Sequence, residues 1–437
     1  MIAMKVEKII GIGLVLLLVA TTAFVKPLSN NSIIDKENDP PFLEVQGNWA
    51  DSVFKTMTPD ERTAQLFMVA AYSNKGANHV AKIEKLVVEN KIGGLIFMQG
   101  GPLRQAELIN RYQKKSKVPL MVSIDGEWGL AMRLDSTVKY PWQMTLGAIQ
   151  DEQLIYEMGV DIGEQCKRLG IHVNFAPVVD ININPKNPII NARSFGENKE
   201  NVASKGIAYM KGMQSVNVMA NAKHFPGHGD TDKDSHKSLP TINHTKGRMD
   251  SVELYPFYKL IENGLASMMV AHLNIPAYAE EENTATTLSK NVVTRLLQDS
   301  LGFKGLIFTD ALNMKGVSAL YQPGVVDVKA LLAGNDVLLF PKDVQLGITE
   351  INKAIAAGEI SREEVDKRCL KILRAKQWEG LNNYKEVEKE NLIEDLNTRE
   401  YELLNRKLSE ASLTVLKNDS NIIPLRDLSK LKIASLV

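Results

Sequence analysis

The chain has 437 residues, of which 44% are hydrophobic and 24% charged, the balance of a soluble globular protein long enough for two or three domains. Its 52 basic and 52 acidic residues give a formal net charge of zero, which argues against a nucleic-acid-binding surface, because such surfaces are usually basic. Two cysteines, Cys166 and Cys369, are too few for a disulfide framework. We expect both to be buried, inert thiols.

The N-terminal 25 residues differ from the rest of the chain. Lys5 and Lys8 precede an apolar run over residues 9–25, which ends near small residues. This pattern is typical of a secretory signal, and the run is also barely long enough to act as an uncleaved membrane anchor. We therefore predict an exported protein of the periplasm or cell envelope, tethered to the membrane if residues 1–25 are retained. Residues 26–48 are predicted to be a flexible linker.

Eight short apolar runs recur between residues 66 and 341. They are apolar throughout rather than alternating, as expected of strands buried on both faces. Segments with helical spacing, such as VAKIEKLVVEN and NVVTRLLQDSL, lie between them. This repeat predicts an α/β fold, a (β/α)8 TIM-type barrel over residues 49–380. A doubly wound open sheet is the alternative, disfavoured by the count of eight and by the lack of GxGxxG after the first run. The runs are LFMVAA (66–71), GGLIFM (93–98), PLMVSID (119–125), HVNFAPVVD (172–180), VMANAKHF (218–225), SMMVAHL (267–273), GLIFTD (305–310) and DVLLFP (336–341).

The C-terminal part, residues 381–437, has a different character from the barrel repeat. A highly charged stretch predicts a linker helix, and the final LKIASLV is typical of a buried strand. A lone buried strand has no sheet to join. We therefore expect this part to be the linker helix and the truncated, incomplete start of a C-terminal α/β sandwich domain.

Charged and titratable residues end five of the eight runs. One carboxylate at a strand end can simply cap the next helix. Five polar ends converging on one rim are better explained by a pocket, because the active sites of such barrels lie at the C-terminal ends of the strands. These residues are Asp125, Asp180, Lys223 with His224, His272 and Asp310.

The loop after the fifth run, KHFPGHGDTDKDSHKSLP, crowds histidines and aspartates together. A metal site is disfavoured, because Pro226 and Gly227 keep His224 and His228 from sharing a helix face as in HExxH. The alternating aspartates of the loop also lack the glycine and glutamate of an EF-hand. Its glycines would let the loop move over a substrate.

A proton-transfer site explains the DSH triplet of this loop better. In an extended loop Asp234 and His236 point the same way, and a carboxylate beside an imidazole fixes its tautomer and raises its basicity. Asp310, at the end of the seventh run, is the natural nucleophile. A nucleophile with a separate acid/base describes retaining glycoside hydrolysis.

In these motifs the chain resembles glycoside hydrolase family 3 and, within it, the bacterial β-N-acetylglucosaminidases, from about residue 49 to its end. The resemblance implies that His236 is the acid/base, that Asp234 holds it, and that Asp310 of TDALNM is the nucleophile. The chain reads DGEWGL where the subgroup commonly reads DQEGGR, so Trp128 replaces a glycine and is expected to reshape the pocket edge. Residues implied to bind the terminal sugar are Asp125, Arg133, Arg193, Lys223 and His224.

The activity implied by this resemblance is that of an exo-acting, retaining β-N-acetylglucosaminidase, a β-N-acetylhexosaminidase-like glycosidase. Its partner would be a carbohydrate ending in N-acetylglucosamine, either a peptidoglycan fragment or a chito-oligosaccharide, with no nucleic acid, no metal and no cofactor. The first substrate class would place the protein in peptidoglycan recycling. A phosphate-using phosphorylase and a family 3 β-glucosidase stay open as alternatives. A catalytically inactive sugar-binding protein is disfavoured, since it has no need of Asp310 or of the Asp234–His236 pair.

Overall fold

The computed structural model describes residues 39–235, 238–279, 283–319 and 321–432. The predicted signal or anchor (1–25), the acid/base candidate His236 and residues 433–437 of the predicted last strand lie outside these ranges. Within them, none of the helices combines the length and the apolar character that crossing a membrane requires. Export and tethering therefore stay predictions from the sequence.

Eight parallel strands form the central sheet, and each lies within one of the eight predicted runs. The strand order is β7-β6-β5-β4-β3-β2-β1-β8, and β8 pairs with β1 through Phe67–Leu338 and Met68–Leu339. A bridge between Phe308 and Val337 joins the β7 and β8 edges. The predicted (β/α)8 barrel is thereby confirmed. Its strands are β1 Phe67–Ala71, β2 Gly94–Phe97, β3 Met121–Ile124, β4 Val173–Asn174, β5 Met219–Phe225, β6 Ser267–Val270, β7 Leu306–Thr309 and β8 Leu338–Leu339.

Helices cover the outside of the barrel and connect successive strands, as a parallel sheet requires. The α-helices are α1 Trp49–Lys55, α2 Pro59–Ala64, α3 Ala77–Lys85, α4 Pro102–Lys115, α5 Gln143–Leu146, α6 Glu152–Arg168, α7 Lys199–Ser215, α8 Lys246–Arg248, α9 Tyr255–Ile261, α10 Lys315–Ser318, α11 Val325–Ala333, α12 Val344–Ala356, α13 Arg362–Trp378, α14 Leu392–Asp395 and α15 Arg399–Ala411. Wider, π-type turns form Leu86–Asn90, Met249–Glu253 and Asn291–Ser300. Turns of 3₁₀ helix are Pro41–Glu44, Leu130–Met132, Asn191–Arg193, Thr286–Leu288, Leu381–Asn383, Asp419–Asn421 and Leu428–Lys430.

Two strands are much shorter than the runs that predict them. The β4 run contains Pro177, which cannot donate a ladder hydrogen bond, so regular pairing stops before it. The chain still follows β5, because Val179 N–H donates to the Lys223 carbonyl at 2.9 Å. Strand β8 ends before Phe340, whose φ of +56° leaves the extended conformation. Both irregular ends lie at the C-terminal face, where they shape the functional site.

Segments on either side of the barrel repeat also pack on it. Phe42 is fully buried and Asp39 pairs with Lys304 at 2.7 Å, so the described part of the predicted linker lies against the domain. Leu404 and Leu408 of α15 are buried as well. The thiols of Cys166 and Cys369 are buried and unpaired, as predicted, and burial raises the pKa of each to about 12.

Candidate active site

A cavity of about 400 Å³ opens at the C-terminal ends of the strands. Its walls come from residues at or just after the ends of β2, β3, β5, β6, β7 and β8, together with loops that cross the rim. Six residues predicted from the sequence to form the catalytic and sugar-binding site line it together, although they span positions 125 to 310. They are Asp125, Arg133, Arg193, Lys223, His224 and Asp310.

One half of the cavity floor is a chain of ion pairs around Asp125, which directly follows β3. Its carboxylate accepts a hydrogen bond from Arg133 Nη2 and another from Lys223 Nζ at 2.9 Å. Lys223 belongs to β5 and is almost fully buried. Asn174 of β4 fixes the loop after Asp125, since its side-chain amide exchanges two hydrogen bonds with the backbone of Gly126. Strands β3 and β5, which lie on either side of β4, therefore bring these opposite charges together.

The other half of the floor is organised by Glu127, which the sequence interpretation gave no role. Its fully buried carboxylate binds Arg193 through two hydrogen bonds, 2.9 Å to Nε and 2.7 Å to Nη2, and lies 2.8 Å from Lys223 Nζ. Such a fork-like pair fixes the guanidinium plane as well as its position. One feature of the sequence could have indicated this role. Glu127 lies two residues after Asp125 in DGE, and both carboxylates contact Lys223.

Asp180 anchors the far end of this floor. Its Oδ2 accepts from His224 Nδ1 at 2.7 Å, while Oδ1 accepts the backbone N–H of His228, also at 2.7 Å. On the other side of the ring, His224 Nε2 lies 3.4 Å from Arg193 Nη2. We name the complete arrangement the charged row. Its members in order are Arg133, Asp125, Lys223, Glu127, Arg193, His224 and Asp180.

The carboxylates of Asp125 and Glu127 stay ionised because lysine and arginine side chains surround them. Burial would raise the pKa of Asp125, but Lys223 and Arg133 outweigh it and hold this pKa well below its usual range. Burial would likewise raise the pKa of Glu127, yet Arg193 and Lys223 lower it to about 2. The row therefore carries alternating fixed charges, which suit the hydroxyl groups of a sugar better than an apolar ligand.

Asp310 faces this row from the end of β7. Its backbone N–H donates to the Val270 carbonyl at 3.0 Å, and its Oδ1 accepts the backbone N–H of Ala311 at 2.7 Å. The carboxylate is partly exposed in the cavity. A carboxylate held at the strand end and open to the cavity has the placement that a nucleophile needs.

The first residues of the loop after β5 are tightly packed and hydrogen-bonded. Gly229 packs so closely that a Cβ there would lie 1.8 Å from the Ile181 carbonyl oxygen, and Asn187 donates hydrogen bonds to the carbonyls of His228 and Gly229. The sequence suggested that the glycines serve loop movement, whereas Gly229 is required by this packing. Asp234 follows, partly buried, and its carbonyl accepts the backbone N–H of Ser238 at 3.1 Å.

His228 and Trp128 have surroundings that the sequence did not indicate. His228 lines the cavity, its Nδ1 lies 2.8 Å from the Thr231 hydroxyl, and burial lowers its pKa to about 4, so the ring is neutral near pH 7. Trp128 stacks on Trp142, with ring centroids 4.7 Å apart and planes 5° from parallel. Among the described residues that line the cavity, Trp128 is not included, so its expected effect on the pocket edge stays a prediction.

We expect Glu127→Gln to lower kcat/KM on an N-acetylglucosaminide by roughly 100-fold, because Arg193 and Lys223 lose the charge that positions them. Steady-state kinetics would measure it. Glu61→Gln is a matched control, since Glu61 is also buried and pairs with Lys117 and Lys91, but away from the cavity. Equal losses in both variants would contradict a positioning role.

The same variant has a predictable pH dependence of stability. The folded-state pKa of Glu127, about 2, lies below the ordinary 4.5, so its ionised form stabilises the fold above the ordinary value and this contribution disappears as the pH falls toward 2. The shift corresponds to roughly 3 kcal/mol at most. Denaturant unfolding should therefore show a larger gap between wild type and Glu127→Gln at about pH 6 than at about pH 3. A gap that does not change with pH would contradict the assignment.

The chain is a (β/α)8 barrel whose ionised side chains line a cavity at the C-terminal ends of the strands. This is the architecture of a barrel enzyme. Residues 58–375 match the glycosyl hydrolase family 3 N-terminal domain. Since this match covers most of the chain, the chain belongs to glycosyl hydrolase family 3.

Several relatives in this family are named as hexosaminidases. The chain is 31% identical to Beta-hexosaminidase A of Pseudoalteromonas piscicida over 79% of its own length, and spans 62% of that protein. It is 29% identical to Beta-hexosaminidase LpqI of Mycobacterium tuberculosis, covering 73% of this chain and 83% of the relative. A solved family 3 beta-N-acetylglucosaminidase from Paenibacillus sp. superposes with a TM-score of 0.75 at 34% identity, covering 83% of this chain and 70% of that one.

Proposed function

We propose that the chain is an exo-acting, retaining β-N-acetylglucosaminidase, which removes non-reducing terminal N-acetylglucosamine from peptidoglycan fragments or chito-oligosaccharides. The observation that carries the proposal is that Asp310 lines the same cavity as six members of the charged row. At about 400 Å³ this cavity lies at the small end of ligand sites, a size suited to one terminal sugar ring. The names of the relatives support the hexosaminidase class.

In the proposed mechanism the charged row binds the hydroxyl groups of the sugar and places its anomeric carbon at Asp310. The Asp310 carboxylate attacks that carbon and forms a glycosyl ester, while His236 protonates the departing oxygen. Water then attacks the ester, and His236 takes its proton, so the product keeps the β configuration. Asp234 orients His236 and stabilises its charged form. His236 and its contacts lie outside the described residues, so its role rests on the sequence.

One experiment separates this proposal from its alternatives. Wild-type protein is assayed on chromogenic N-acetylglucosaminide and on the matching glucoside, each with and without phosphate. We expect preference for the N-acetylglucosaminide, a rate independent of phosphate, and β-N-acetylglucosamine as the first product by NMR. A preference for the glucoside would indicate a β-glucosidase. Formation of a sugar 1-phosphate would indicate a phosphorylase.

A further inference from the structure

A second cavity of about 400 Å³ lies at the other end of the barrel from the catalytic one. Phe303 and Lys304 precede β7 and Asp336 precedes β8, so these lining residues stand at the N-terminal ends of the strands. Helix α13 supplies most of the remaining wall, together with Leu43 and Gln298. None of the described residues lines both cavities. We call this second site the basal cavity.

Positive charge predominates in the wall of the basal cavity. Five cationic side chains line it against two carboxylates. Because the chain as a whole has a formal net charge of zero, this excess is local. The cations are Lys304, Lys367, Arg368, Lys371 and Arg374, and the carboxylates are Asp336 and Glu364.

Three of the five cations are already paired with carboxylates. These pairs are Lys304 with Asp39 at 2.7 Å, Lys371 with Asp336 at 2.7 Å, and Arg368 with Glu364. Arg368 is buried, and its Nη1 donates to the Asn335 carbonyl at 2.6 Å, which holds the guanidinium in place. Its Nε is also buried and has no hydrogen-bond partner among the described residues. The three pairs fix the wall without adding net charge.

Lys367 and Arg374 supply the charge that is left over. Both are exposed, and neither has an ion-pair or hydrogen-bond partner among the described residues. They lie seven positions apart on α13, two turns along one helix face, so their backbones are roughly 10 Å apart. Two long, flexible side chains at this spacing can close on one anion between them. The basal cavity therefore offers two uncompensated positive charges.

Apolar side chains complete the wall. Phe303 is almost fully buried, and Leu43 and Leu370 are partly buried. Leu370 lies on the same face of α13 as Lys367 and Arg374, because positions three and four apart are neighbours on a helix. A small ion alone would leave this apolar surface uncovered. The wall suits a charged group that is attached to an apolar one.

We propose that the basal cavity binds a phosphomonoester that carries a small apolar group. The balance of charge favours this class, because a phosphomonoester has a charge of about −1.5 to −2 at pH 7, which matches Lys367 and Arg374 together. A carboxylate or a phosphodiester would neutralise only one of them. An arginine also binds two phosphate oxygens at once through its fork of N–H donors. The site lies away from the catalytic cavity, so the inference goes beyond the proposed function and does not depend on it.

The test compares two ligands that differ by one charge. Phenyl phosphate is a dianion at about pH 7.5 and methyl phenyl phosphate is a monoanion, while both carry the same ring. Calorimetry on the whole chain should show phenyl phosphate binding roughly tenfold more tightly, because only the dianion engages both cations. The double variant Lys367→Gln, Arg374→Gln should lose this preference and bind phenyl phosphate at least about tenfold more weakly.

A control variant removes one arginine and one lysine elsewhere. It is Arg399→Gln with Lys407→Gln, at exposed positions of α15 outside the cavity, and it should bind like the wild type. Wild type that binds no phenyl phosphate, equal affinity for the two ligands, or the same loss in the control would overturn the inference.

Single variants and a second pair of ligands complete the experiment. Lys367→Gln and Arg374→Gln, made separately, disturb the helix less than the double variant, and each should lose part of the affinity. Full affinity in both would also overturn the inference. Glycerol 3-phosphate and dihexanoyl phosphatidic acid share the phosphomonoester, so the tighter of the two shows whether a soluble ester or a lipid is its source.

Discussion

Asp310→Ala is expected to abolish turnover, with a loss in kcat of at least about 10⁴-fold, because no glycosyl ester can form without the carboxylate. The residue sits at the end of β7 and opens into the cavity opposite the charged row. Binding of N-acetylglucosamine should survive, since the row itself is intact. Initial rates on an aryl N-acetylglucosaminide, with calorimetry of product binding, measure both effects.

A covalent probe makes the assignment of Asp310 specific. A fluorinated N-acetylglucosaminide that slows the second step should label the peptide containing Asp310, as seen by mass spectrometry. Asp135→Ala is a suitable control, because Asp135 pairs with Arg104 on the exposed rim and lies outside the cavity. Label on another carboxylate, or activity of Asp310→Ala close to that of the control, would show that the nucleophile lies elsewhere.

His236→Ala should have the second-largest effect, and the size of that effect should depend on the leaving group. General acid–base assistance is typically worth about 10²–10⁴-fold. A disaccharide needs a proton to depart, so its hydrolysis should lose the full factor. An activated aryl glycoside departs without one, so its first step should suffer less. Deglycosylation then limits the rate, and the Asp310 ester should accumulate as a burst in stopped-flow measurements.

Asp234→Ala provides the graded comparison for this experiment. Asp234 is proposed to orient the imidazole without transferring the proton itself, so the same pattern should appear in a milder form. Thr231→Val, at a residue that contacts His228 in the same loop, tests whether any disturbance of the loop gives this pattern. Equal losses on good and poor leaving groups, with no burst, would make His236 a binding or structural residue.

The amino-acid sequence by itself determined the barrel and the strand ends that carry the site. Continuous apolar runs identify strands buried on both faces, because a parallel sheet covered by helices has no solvent-facing side. Once the fold is a barrel, the C-terminal ends of all strands share one rim, so Asp125, Lys223, His224 and Asp310 had to lie near each other. The grouping of these residues follows from the barrel fold alone.

The pairing inside the site was decided by tertiary structure. Glu127 and Arg193 are 66 positions apart, and their two hydrogen bonds depend on how two loops cross above the barrel. Asp180 looked like one more strand-end carboxylate, but it holds His224 and the backbone of His228 together. The stacking of Trp128 on Trp142 is a further case, since this partner could not be predicted from the place of Trp128 in the chain.

The closure of the barrel shows the same division. The first and last units of the repeat lie side by side because β8 pairs with β1. Sequence periodicity determines the elements and their order. The residues that meet across the closure depend on strand register and on the φ of Phe340, which are set by packing in three dimensions.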